Sequence, residues 1–77
     1  MWARELGSRG IRVNALLPGF LEEERAQAGE KEIKQKAIPL GRFGKAEELA
    51  RVARFICSEE ASYISGTLIE VNGGYRA

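Results

Sequence analysis

Residues 39–74 read PLGRFGKAEELARVARFICSEEASYISGTLIEVNGG, and their order decides the fold. A turn punctuated by Pro39, Gly41 and Gly44 comes first. Leu49, Val52, Ala53 and Ile56 then fall on one stripe at helical spacing, predicting a helix over residues 45–57, opened at Lys45 and closed at Cys57, with that stripe packed on a core. Tyr63, Ile64 and Gly66 lead into a predicted strand over residues 67–71, from Thr67 to Val71, which Asn72, Gly73 and Gly74 stop.

Working back toward the amino terminus, residues 11–20 read IRVNALLPGF. The branched apolar run predicts a strand from Ile11 to Leu17, halted by Pro18 and Gly19, and its near-continuous hydrophobicity suits a parallel strand covered on both faces. Asn14, the polar residue inside it, is expected to satisfy neighbouring backbone groups. Residues 2–8 read as the last turns of a helix, ended by Gly7 and Gly10. A short helix over residues 30–37 carries Glu30 with Lys34 and Glu32 with Lys36 at i,i+4 spacing, the pattern of a solvated face. Two strands separated by a helical crossover define an α/β class with a βαβ unit. Glu70 places the second strand at a sheet edge, and the first strand then calls for a further strand beside it.

Composition bounds the functions. Seventy-seven residues allow one small domain, and no boundary divides residues 1–77. Burial at about 25 cal/mol per Å² sits near balance with an ordering cost of about 1.5 kcal/mol per residue in so short a chain. Twelve basic residues against eleven acidic ones give a net charge of +1, which argues against nucleic acid or an anionic membrane as partner. No apolar stretch approaches the roughly 20 residues of a membrane span, so a cytoplasmic protein is the expectation. With no His and one Cys, an ordinary zinc site is excluded, and no metal ligand set is expected. Cys57 lies in the apolar run ARFICS and reads as a buried small hydrophobe.

Pro18-Gly19 at the carboxyl end of a parallel strand marks the crevice where open α/β sheets bind ligands. Proline sets the direction of the chain there, and glycine lets a flat ring approach the backbone. Arg42 admits two readings, an anion contact or an ion pair with Glu47 or Glu48. Tyr63 reads as a packing residue, because the lysine that would make it a catalytic phenol is replaced by Thr67 four residues on.

The motifs IRVNALLPGF, PLGRFG, EELA, FICSEEASYISG and VNGG, in that order, resemble the closing third of a short-chain dehydrogenase/reductase, most closely the 3-oxoacyl-carrier-protein reductase branch. The resemblance implies the last two parallel strands and flanking helices of a Rossmann-like, doubly wound sheet, making residues 1–77 a single partial domain. It implies an NAD- or NADP-dependent oxidoreductase acting on a small carbonyl or alcohol. By the same resemblance Pro18, Gly19, Phe20 and Leu21 line the nicotinamide end of the cofactor site, with the Leu21 backbone facing the carboxamide. Glu23 stands where the family has a cofactor-contacting threonine. A carboxylate there either points to solvent or weakens cofactor binding.

The family's glycine-rich phosphate-binding turn and its Tyr-x-x-x-Lys pair are absent from these 77 residues. No catalytic residue is therefore expected in the chain, and no activity of the chain alone. The resemblance also implies a homo-oligomer that meets through the Lys45 to Cys57 helix and the Thr67 to Val71 strand. That contact supplies the second functional reading, a non-catalytic assembly or interaction module.

Overall fold

The computed structural model describes residues 2–23 and 29–75. Helix α1, Trp2–Leu6, runs into a 3-10 turn at Gly7–Arg9. Gly10 ends it at φ 73°, donating its N–H to the Gly7 carbonyl at 2.9 Å. That left-handed closure is the helix end that the glycines predicted.

Strand β1, Ala15–Pro18, begins four residues later than the sequence suggests, and strand β2 covers Leu68–Val71. They pair in parallel, Ala15 facing Leu68 through to Pro18 facing Val71. Residues 11–14 lie opposite a turn rather than a strand, so side chains and a single backbone bond make the connections. Asn14 donates from Nδ2 to the Ile64 carbonyl at 3.0 Å and accepts the Thr67 N–H on Oδ1 at 3.1 Å. Gly66 N–H donates to the Val13 carbonyl at 2.8 Å, and Arg12 donates to the Ile64 and Ser58 carbonyls at 3.1 and 3.4 Å. Asn14 thus satisfies neighbouring backbone groups, as its sequence setting predicted.

The crossover holds helix α2, Glu30–Lys36, and helix α3, Ala46–Ile56. On α2, Glu30 and Lys34 close to 3.1 Å. Lys45 and Cys57 flank α3 as its caps, at the ends read from the sequence. Of its apolar stripe, Ile56 is buried while Leu49, Val52 and Ala53 are half-buried.

Two expectations of burial fail. Cys57 is exposed, because it follows the last helical residue and leaves the stripe. Tyr63 is fully exposed rather than packed. A 3-10 turn at Glu59–Ala61 places Ala61 in the interior instead, and the chain turns outward after it.

Ile38, Phe43, Ile56 and Ala61 make up the buried core among the described residues. Side chains alternate along the two strands, so the pair presents two unequal faces. Leu16, Ile69 and Val71 are half-buried on one, whereas Ala15, Leu17 and Leu68 are exposed on the other. The Cα radius of gyration is 15.3 Å, against about 11–12 Å for a compact domain of this length. Among the described residues no helix is long and apolar enough to cross a membrane.

Candidate functional site

The carboxyl ends of β1 and β2 lie side by side, which brings Pro18 opposite Val71 and Gly19 against Asn72. Gly19 N–H donates to the Val71 carbonyl at 3.0 Å, carrying the pairing one residue beyond the strand. A Cβ on Gly19 would stand 2.6 Å from Asn72 Cβ and 2.8 Å from Asn72 Cα. Glycine is therefore required by the exit of β2 itself. The exit of β2 thus gives Gly19 a packing reason of its own, beside the ligand approach read from the sequence.

Phe20 follows and becomes a packing hub. Its ring stacks on Phe43 at 5.5 Å between centroids and meets Tyr75 edge-on at 5.1 Å. Lys34 Nζ sits 4.9 Å from the Phe20 centroid and Lys31 Nζ 5.5 Å from that of Phe43, joining α2 to the cluster through cation–π contacts. Sequence reasoning missed this group, because aromatics at 20, 43 and 75 share no period.

Leu21 forms a parallel bridge with Gly44: Gly44 N–H donates to the Phe20 carbonyl at 2.9 Å and Glu22 N–H to the Gly44 carbonyl at 2.8 Å. In parallel pairing the bridged residue's own N–H and C=O lie on the opposite edge. Leu21 thus keeps one backbone donor and one acceptor directed away from the bridge. Glu23, two residues on, accepts the Ala46 N–H on its carboxylate at 3.2 Å.

Beside it, Arg42 forks onto Glu48 at 2.8 and 2.9 Å, which resolves its two readings in favour of the ion pair. Glu48 also accepts the Lys45 N–H at 3.0 Å. Those hydrogen bonds, the Arg42 one foremost, hold the Glu48 carboxyl down at about 2, and the bond to Glu48 raises Arg42.

Phe20, Leu21, Leu40, Arg42, Leu49 and Asn72 line a cavity of about 130 Å³. Ligand sites begin near about 300 Å³. A nicotinamide dinucleotide does not fit these residues as a complete site: the cavity is too small to hold it, and residues 1–77 contain no glycine-rich cradle for its phosphates. What they offer is one apolar wall with the backbone edge of Leu21, which has no hydrogen-bond partner among the described residues. Tyr63, exposed and with Thr67 four residues on, has no lysine at the catalytic spacing.

Parallel strands joined by a helical crossover, with a crevice at their carboxyl ends, define the α/β class whose open sheets bind nucleotides. The chain belongs to the short-chain dehydrogenase/reductase family, its residues 1–76 matching the group described as Enoyl-(Acyl carrier protein) reductase. It is 55% identical over 75 residues to 3-oxoacyl-(acyl-carrier-protein) reductase FabG of Aquifex aeolicus, covering 94% of this chain and 30% of that one. To the FabG of Thermotoga maritima it is 49% identical over 76 residues, 95% of this chain and 31% of the relative. A (3R)-3-hydroxyacyl-CoA dehydrogenase of Mus musculus is 45% identical over 75 residues, with 94% and 29% coverage. A solved short chain dehydrogenase from Bacillus anthracis superposes with a TM-score of 0.87 at 42% identity, over 97% of this chain and 30% of that structure. The chain thus spans about 30% of the length of the relatives it matches.

Proposed function

We propose that residues 1–77 form the closing third, a single partial domain, of a cytoplasmic NAD(P)(H)-dependent oxidoreductase that reduces 3-oxoacyl thioesters. In this reading Pro18, Gly19, Phe20 and Leu21 build one wall of the nicotinamide pocket. Pro18 and Gly19 set the direction of the wall, Phe20 anchors it in the aromatic cluster, and Leu21 presents its N–H and C=O to the carboxamide. Glu23 stands at the margin of that wall. The observation that carries the proposal is the Leu21 backbone edge, left outside the Gly44 bridge at the carboxyl end of a parallel strand. The names of the relatives support the thioester substrate class. NAD and NADP are equally compatible with these residues.

The test is a chimera in which residues 1–76 replace the matching segment of the Aquifex relative. Reduction of a 3-oxoacyl thioester is followed by loss of nicotinamide absorbance, with NADH and NADPH in turn. The chimera is expected to turn over, the 77-residue chain alone is not, and Leu21→Pro, which removes the backbone donor, is expected to raise the cofactor KM at least about tenfold. A folded chimera without turnover would sink the reading.

An assembly module is the second reading. It is favoured by the exposure of Phe55 on α3 and Leu68 on β2, apolar side chains on the two elements expected to meet a second copy.

A further inference from the structure

We infer that Glu23 is a positioning residue: its carboxylate caps α3 from 23 residues upstream and thereby holds the chain leaving β1 in register with the turn before that helix. The first four N–H groups of a helix lack partners within it, and a side-chain oxygen at the N-cap ordinarily supplies one. Lys45 occupies the N-cap of α3, and an ammonium accepts no hydrogen bond. Two carboxylates divide the task instead. Glu48, one turn inside the helix, reaches back to the Lys45 N–H at 3.0 Å, and Glu23 takes the Ala46 N–H at 3.2 Å.

The Glu48 contact is local, whereas the Glu23 contact joins two distant segments. It continues a row already begun by backbone groups: Gly44 N–H to the Phe20 carbonyl, Glu22 N–H to the Gly44 carbonyl, then Ala46 N–H to the Glu23 carboxylate. An isolated bridge is the weakest form of pairing, since no neighbouring rung supports it. The side-chain rung gives it one, and the positive end of the α3 dipole favours a negative charge there. Leu21 lies inside this row, so Glu23 fixes the direction of the N–H and C=O that it turns away from the bridge. The consequence for cofactor binding rests on the reading of Leu21 given above, while the capping contact stands without it.

Amide hydrogen exchange in the 77-residue chain, repeated in the Aquifex chimera, tests the inference on Glu23→Ala, which removes the acceptor, and Glu23→Gln, which keeps it. Losing one cap is expected to speed exchange at Ala46 about fivefold in the alanine variant. Positioning predicts that Glu22 and Gly44 amides accelerate with it, that Lys45 stays unchanged, and that glutamine restores most of the protection. Unchanged exchange at Ala46, or acceleration confined to Ala46, overturns the inference. In the chimera the alanine variant is expected to raise the cofactor KM severalfold at constant kcat; a KM unchanged although Glu22 and Gly44 are loosened would count against the Leu21 reading alone.

Discussion

Gly19 and Glu48 show how much a single position decides here. A methyl group at Gly19 meets the Asn72 backbone rather than a pliable side-chain end, so neither strand exit gives way easily. Gly19→Ala is expected to destabilise the Aquifex chimera by about 1–3 kcal/mol, read as a lower urea midpoint at unchanged m-value. Glu48 makes a pH prediction. Its carboxyl is held at about 2 when folded, below the ordinary 4.5, so its contribution to stability is complete above 4.5 and is lost as the pH falls toward 2. Comparing Glu48→Gln with the parent chimera isolates this group. The gap in urea midpoint between them is expected to be widest near neutral pH and to close between about pH 4.5 and 2. A gap constant across that window would show that the Arg42 fork does not hold the carboxylate.

At the scale of elements, what was legible in the sequence followed periodicity and punctuation. Helix α3 was legible to its caps because Leu49, Val52 and Ile56 repeat at helical spacing between Lys45 and Cys57, and Gly10 announced the end of the first helical segment. The start of β1 was not legible, because the apolar run from Ile11 describes solvent preference while a ladder requires a partner strand, and residues 11–14 face the turn before β2 instead. Burial failed at Cys57 and Tyr63 for a related reason: an apolar neighbourhood in sequence does not fix which way a residue after a helix end points. Asn14 was legible, since a lone amide in an apolar run needs backbone partners wherever they lie. Asn14→Ala removes both of its hydrogen bonds and leaves the Ile64 carbonyl and Thr67 N–H without that partner. The expected cost is about 1–3 kcal/mol in the chimera, read by thermal or urea denaturation, with exchange at the Thr67 amide accelerated more than that at Ala46.

For the whole molecule, the unequal faces of the strand pair govern behaviour. Trp2 at 70% exposure and Leu68 at 57%, with Leu17 and Phe55 also exposed, leave more apolar surface in water than so small a core readily offsets. The candidate site follows the same pattern: the strand end and turn at Pro18 to Leu21 were legible, but their packing partners, Phe43, Asn72 and Tyr75, come from segments that no local pattern connects. Such a surface needs a cover, and a second copy of the chain is the cover always present. The weight-average mass in sedimentation is therefore expected to rise with concentration for the 77-residue chain. Apolar burial is screened little by salt, so sodium chloride at 1 M should leave that rise intact or strengthen it, in contrast to an association built on ion pairs. Leu68→Lys places a charge on the exposed strand face and is expected to return the chain to monomer. Trp2 supplies an independent reading, since the only tryptophan of the chain should shift its emission to shorter wavelength if α1 lies under the cover. A chain that stays monomeric at every concentration would exclude the assembly module while leaving the oxidoreductase reading untouched, because that reading is tested in the chimera and needs no self-association of the 77-residue chain.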